Sequence, residues 1–286
     1  HIAENGQENM VLCCDFLALR LALCTELSLS YTIAERRKEL LRRHNITWVT
    51  LFDSACAYYY ALSEQITQIP VLFREHQLST VNFLAPGKPM MELIENQVYL
   101  AQQEYAKVIG RSEGLLAVCE AMHYALVALH VQIQTAAAYE CLGKRTEARN
   151  CLKRALQIAL PDQFYLPFVE NYEYLEELLQ REIQTADAAE HVFLTKVTEL
   201  GKNCQKRYGA LRKTHMFPKI AAELTEQEQR IIELLAERLS NREIAEKLFL
   251  SEGTIKQYIN RIYAKLQISG DVRTKRRQLI ELLTAE

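Results

Sequence analysis

Leu224 to Leu266 reads LTEQEQRIIELLAERLSNREIAEKLFLSEGTIKQYINRIYAKL. Two hydroxyl residues each stand three positions before a glutamate: Thr225 before Glu228, and Ser240 before Glu243. In a capping box the hydroxyl accepts from a first-turn N–H and the carboxylate reaches back to the cap's own N–H. Each pair therefore marks a helix start. The first helix is expected to bury Ile231, Ile232, Leu234 and Leu235. The second, Asn241 to Leu248, buries Ile244, Ala245 and Leu248, and the small Ala245 lets a neighbouring helix close in. Phe249-Leu250 makes a turn, and Ser251 caps a third helix. Residues 225–285 divide in this way into four short helices.

The third helix has two unlike faces. Ile255, Ile259, Ile262 and Leu266 fall in an apolar stripe roughly 60° wide. Gln257, Asn260, Arg261 and Ala264 fall opposite, with Lys256 and Lys265 on the flanks. No carboxylate stands between Lys256 and Leu266. Amides match adenine edges, and cations match guanine edges or phosphates. A helix, a short turn and a second helix with this outer face predict a helix-turn-helix reader of double-stranded DNA.

The same residues carry a resemblance. Leu224-Thr225, Glu228, Leu239-Ser240-Asn241-Arg242-Glu243-Ile244-Ala245, Ser251-Glu252, Thr254-Ile255-Lys256 and Ile262-Tyr263-Ala264-Lys265-Leu266 stand without gaps as they do in the LuxR-type helix-turn-helix family, which this stretch resembles. Tyr258 departs from the family's usual histidine and is expected to keep its packing role. The resemblance implies that Lys256, Gln257 and Asn260 contact base edges in the major groove. It assigns Thr254, Arg261 and Lys265 to phosphates. It also implies a fourth helix, with Leu279, Ile280, Leu282 and Leu283, that supports a homodimer on DNA.

Charge separates this segment from the rest of the chain. Residues 1–195 carry 16 Lys/Arg against 24 Asp/Glu, whereas Lys256 to Arg277 holds seven basic residues and one acid, Asp271. An acidic bulk with a basic C-terminal segment suggests a polyanion-binding module on a separate body. The acidic body could cover the basic stretch and compete with DNA, or it could simply bring two readers together.

Upstream, the chain reads as stacked helices. Residues 8–29, 31–45, 47–64 and 90–109 are helix-periodic, and no alternating β-branched run appears. Ala85-Pro86-Gly87-Lys88-Pro89 reads as a loop. Tyr105…Gly110 recurs as Tyr139…Gly143, with the two glycines 33 residues apart and each expected to end a helix in the left-handed conformation. A period near 34 resembles tetratricopeptide repeats, best seen in TAAAYECLGKRTEARNCLKRALQIA from Thr135 to Ala159. The text from QTAAAYECLGKR onward is similar to the end of the sensor in the large ATP-dependent LuxR subgroup typified by the maltose-operon activator. Such a body implies a small-molecule or protein effector on its concave face, near Tyr99, Tyr105 and Tyr139. Of Tyr58, Tyr59 and Tyr60, at least one belongs in the core, since a helix cannot point all three one way.

The expected architecture is all-α: a tetratricopeptide-like repeat body over 1–182, a helical but interruptible linker over 183–218 with Gly201 and Gly209, and a four-helix reader over 219–286. No G-x-x-x-x-G-K-[ST] occurs, so no NTPase module and no cofactor are expected in this chain. No HExxH, nucleophile elbow or Rossmann glycine pattern occurs, and His123 and His130 lack a third ligand at metal spacing, so no enzyme is expected. The eight cysteines form no C-x-x-C pair and read as reduced, buried cysteines of a cytoplasmic protein with no membrane partner. Two functions remain: a DNA-binding transcriptional regulator with a sensing body, or a helical-repeat scaffold with a degenerate helix-turn-helix docking module. The polar outer face of the third helix favours the regulator, since a docking module would expose apolar anchors there.

Overall fold

The computed structural model describes residues 7–25, 29–30, 32–81, 85–236, 239–265 and positions 268, 275 and 279. The chain is all-α, with no strand among the described residues. It divides into two compact units, His1–Tyr208 and Gly209–Glu286. Among the described residues no helix is long and apolar enough to cross a membrane.

The first unit begins with α1 (Glu8–Cys24), α2 (Ile33–Arg42), α3 (Ile46–Leu62) and the short α4 (Val71–Arg74). It continues with α5 (Lys88–Ala101), α6 (Tyr105–Ala121), α7 (Ala125–Cys141), α8 (Arg145–Ala159), the short α9 (Leu166–Glu170) and α10 (Tyr172–Ile183). From α5 to α8 each helix packs against its predecessor, most extensively α7 against α8. Ala136 and Ala137 of α7 and Ala148, Ala155 and Ala159 of α8 belong to one core and are all without solvent exposure. Side chains this small let the two backbones approach closely. Phe168, Tyr172, Leu175 and Phe193 close the same core.

The turns set the spacing of these helices. Gln103, His123, Gly143 and Gln163 all take positive φ, between 55° and 70°, at intervals of twenty residues. At the first three turns the next N–H closes back onto the helix it follows: Glu104 to Tyr99, Tyr124 to Cys119 and Lys144 to Tyr139, at 2.8–2.9 Å. These six-to-one bonds are Schellman caps, which satisfy carbonyls that the helix end leaves open. The expectation for Gly143 holds. Gly110 is different: it lies inside α6 with nothing within 4 Å of its missing Cβ, so the 33-residue glycine spacing is not the turn spacing. Residues 90–109 are likewise split by the turn at 102–104, and Lys88-Pro89 belongs to the first turn of α5 rather than to a loop.

Buried polar side chains stitch the layers together. Gln134 donates to the Gln97 side-chain oxygen (2.9 Å) and Gln97 donates to Asn171 (3.0 Å), linking α7, α5 and the start of α10. Glu170 accepts both guanidinium donors of Arg20 (2.7 Å each) and the Tyr58 hydroxyl (2.9 Å). A buried carboxylate is tolerable when paired and hydrogen-bonded in this way. Tyr58 and Tyr59 are core residues and Tyr60 is half-buried. The cysteines are less uniform than their sequence context suggests: Cys56, Cys119, Cys151 and Cys204 are buried, but Cys13, Cys14 and Cys141 are exposed.

The expected interruptible linker is, from Ala188, one unbroken helix, α11 (Ala188–Glu223), with no break at Gly201 or Gly209. Its Phe193, Leu194, Val197, Cys204 and Tyr208 are buried. This part of 183–218 is therefore packed wall rather than free connector. Gly201 sits directly against the Tyr172 ring, with no room for a Cβ.

The second unit contains α12 (Glu226–Ala236), α13 (Asn241–Leu248) and α14 (Glu252–Lys265) around Ile231, Ile232, Leu235, Ile244, Ala245, Ile255, Ile259 and Ile262. Leu279, named for the dimer helix, is fully buried in this same core; Ile280, Leu282 and Leu283 lie outside the described residues.

Candidate nucleic-acid interface

Three capping devices set the angle at which α14 is presented. Glu228 N–H donates to the Thr225 hydroxyl (3.3 Å) and Thr225 N–H to the Glu228 carboxylate (2.8 Å). Ser240 and Glu243 repeat the arrangement at the start of α13, at 3.3 and 2.7 Å. These bonds hold the Glu243 carboxyl below the usual carboxylate range. Phe249, at φ 56°, ends α13, and Leu250 N–H returns to the Ala245 carbonyl (3.0 Å). Ser251 Oγ then accepts from Thr254 N–H (3.0 Å) to start α14. The turn is three residues long because a left-handed residue reverses the chain in one step.

Ile255, Ile259 and Ile262 of the expected stripe of α14 are buried, as is Tyr263; Leu266 lies outside the described residues. Lys256, Gln257, Asn260, Arg261, Ala264 and Lys265 are exposed, and Thr254 is half-buried with its hydroxyl 2.7 Å from that of Ser251. The expected base-contact set and the expected phosphate set therefore share one exposed face and its edges. Lys256 pairs with Glu252 one turn earlier (3.1 Å).

Beside the expected packing of Tyr258, two contacts of this face were not read from the sequence. Tyr258 packs its half-buried ring against the core, and the Arg261 guanidinium stands over that ring, 5.7 Å from the centroid. A cation stacked on an aromatic face loses less freedom when it meets an anion. The spacing of three residues on a helix was the available signal. Lys265 Nζ lies 2.7 Å from the buried Glu228 carboxylate, 37 residues away in sequence. Burial pushes the Glu228 carboxyl up, but the Lys265 and Thr225 hydrogen bonds outweigh it and hold it below the usual range. Lys265 thus ties the end of α14 to the start of α12 as well as lying at the edge of the face. No local pattern announces a contact at that separation.

The three tyrosines assigned to an effector face belong to one hydrophobic cluster, and Tyr99 alone of them lines a cleft beside it. Tyr99 lines a cleft of about 490 Å³ with His76, Lys88, Met91, Glu95 and Arg111. Its ring stacks on His76 at 3.7 Å, with the Arg111 and Lys107 cations over it at 5.3 Å. Tyr105 and Tyr139 are half-buried against the core of the first unit and do not line this cleft.

A short helix ended by a left-handed turn, followed by a capped helix with a polar outer face, defines the second unit as a helix-turn-helix domain. Residues 222–276 match the family described as bacterial regulatory proteins, luxR family. The C-terminal domain is a LuxR-family helix-turn-helix domain, homologous to those of LuxR-type regulators. The chain is 49% identical over 43 residues to the DNA-binding transcriptional activator DevR/DosR of Mycobacterium tuberculosis, covering 15% of this chain and 20% of that protein. It is 34% identical over 90 residues to the uncharacterized transcriptional regulatory protein YxjL of Bacillus subtilis, covering 32% and 39%. It is 41% identical over 51 residues to the transcriptional regulatory protein LnrK of Bacillus subtilis, covering 18% and 23%. The chain thus spans less than two fifths of the length of each of these curated relatives. No solved structure matches.

Proposed function

We propose that this chain is a DNA-binding transcriptional regulator in which α14 enters the major groove. The observation that carries the reading is the outer face of α14: amide and cationic side chains, all exposed, on a helix whose other side is locked into a core. Lys256, Gln257 and Asn260 contact base edges. Thr254, Arg261 and Lys265 contact the sugar-phosphate backbone, with Arg261 preorganised by Tyr258. The names of the relatives, each a transcriptional regulator, support the same reading.

The body is the sensing part in this proposal, and a stack of antiparallel helices ahead of the reader is what the large ATP-dependent LuxR subgroup leads one to expect. The effector site belongs at the Tyr99 cleft, whose lining combines Glu95, Arg111 and an aromatic stack. Two copies reading paired half-sites complete the proposal.

Binding-site selection with the full chain supplies the operator. On it, Gln257→Ala or Asn260→Ala lowers the ratio of specific to non-specific affinity by about 1–3 kcal/mol per lost base contact. Arg261→Ala weakens all duplexes alike and reduces the salt slope. A chain that bound no duplex above background at low salt would make the second unit a docking module instead.

A further inference from the structure

The last residue of α1 and the middle of α11 bring two thiols together. Cys24 Sγ and Cys204 Sγ lie 3.4 Å apart, and Cys204 Sγ is 3.8 Å from the Leu23 carbonyl oxygen. Both cysteines are free. Arg207, one turn further along α11, donates through Nε to the Ala22 carbonyl (2.7 Å) and so fixes the register of the two helices where the sulfurs meet. A cleft of about 380 Å³ reaches the pair, lined by both cysteines with Phe164, Leu166, Leu200 and Asn203. Such a cleft admits a molecule as small as hydrogen peroxide.

We propose that Cys24 and Cys204 form a peroxide-oxidisable dithiol that closes to a reversible disulfide between α1 and α11. A disulfide needs the sulfurs at about 2.05 Å, which side-chain rotation supplies when the two helices are already in register. The surroundings differentiate the two sulfurs. The hydrogen bond shared with Cys24 holds the Cys204 thiol below the usual range against the effect of burial. Tyr208 and Arg207 act in the same direction, and Glu170 opposes them. The buried Tyr208 hydroxyl finds no oxygen or nitrogen partner, which leaves it to favour a thiolate. The same contact pushes the Cys24 thiol up.

In this proposal Cys204 is the attacking sulfur, because Arg207 and Tyr208 stand one turn along its own helix. Its thiolate takes the distal oxygen of hydrogen peroxide as the O–O bond breaks, giving a Cys204 sulfenic acid and hydroxide. Cys24 then attacks the Cys204 sulfur, loses its proton and expels the sulfenic oxygen as water. The net change is two thiols and one peroxide to one disulfide and two waters. A dithiol reductant reverses it by thiolate attack. The bond lies one helical turn before the boundary between the two units, on the helix that continues into the second. Oxidation thus marks the segment that leads into the helix-turn-helix domain.

The experiment uses the full chain with Cys13, Cys14 and Cys141 replaced by serine, so that exposed thiols do not compete. Stoichiometric hydrogen peroxide should remove two titratable thiols, and non-reducing peptide mapping should find Cys24 joined to Cys204; dithiothreitol should restore both. Cys24→Ser should leave a Cys204 sulfenic acid that dimedone traps, and Tyr208→Phe should slow the reaction several-fold. Circular dichroism checks that each variant is folded. Cys204 consumed no faster than the buried Cys56, or loss of thiols without the Cys24–Cys204 link, overturns the proposal.

Discussion

A methyl group at position 201 would fall inside the Tyr172 ring, because α11 packs its backbone directly on that side chain. Gly201→Ala should therefore destabilise the first unit by about 1–3 kcal/mol through overpacking. Gly110→Ala, in an exposed part of α6 with empty space around it, should instead stabilise by about 0.5–1 kcal/mol. Urea unfolding of the two variants compares them directly, and a neutral Gly201→Ala would refute the close approach. A second residue-scale test concerns Glu228. Its folded-state carboxyl lies below its ordinary range, so the pair with Lys265 stabilises at neutral pH. That contribution is lost as pH falls below about 4.3 and through the lower folded value. Glu228→Gln should cost about 1–3 kcal/mol at pH 7 and much less at pH 3. Thermal unfolding of the second unit at both pH values decides it; equal losses in wild type and variant between them would leave the pair without a stabilising role.

At the scale of elements, the helix hairpins of the first unit depend on residues in the left-handed region. Only Gly143 among Gln103, His123, Gly143 and Gln163 is a glycine. A residue with a Cβ costs about 1–2 kcal/mol in that conformation. Gly143→Ala should therefore destabilise by about that amount, while His123→Gly should recover part of it, up to about 1 kcal/mol after the extra freedom glycine brings to the unfolded chain. Denaturant midpoints of the two variants should move in opposite directions. This is also why the repeat was half-hidden in the sequence. A glycine at 143 signals a turn, but glutamine and histidine at 103 and 123 do not. Gly110, which looks like punctuation, is an interior helix residue. In the second unit the turn chemistry was readable: Thr225, Ser240 and Ser251 are local caps whose partners lie three residues away.

At the scale of the whole chain, charge is divided: 16 basic against 24 acidic residues over 1–195, and seven basic against one acidic from Lys256 to Arg277. An acidic body sets up a field that opposes approach to phosphates. The Gly209–Glu286 fragment should therefore bind a single half-site more tightly than the full chain at low salt, with the difference shrinking as salt is added. Titration of both proteins against one labelled half-site measures it. Equal affinities at low salt would end the masking idea. Tighter binding of the full chain to a paired site, with no difference on the half-site, would assign the body to dimerisation.

The all-α class, the helix-turn-helix and the polar outer face of α14 were legible in the sequence, because helix period, capping boxes and the two-faced wheel act over three to eleven residues. The tertiary structure alone decided the rest. It joined Lys265 to Glu228 across 37 residues and Cys24 to Cys204 across 180, and it buried Leu279 inside its own domain. It also made the first half of α11 a packed wall rather than a linker, through Phe193, Leu194 and Val197. Local hydrogen bonding and side-chain period write themselves into neighbouring residues. Which buried face meets which is settled by packing between segments far apart in the chain, and no short-range pattern records it.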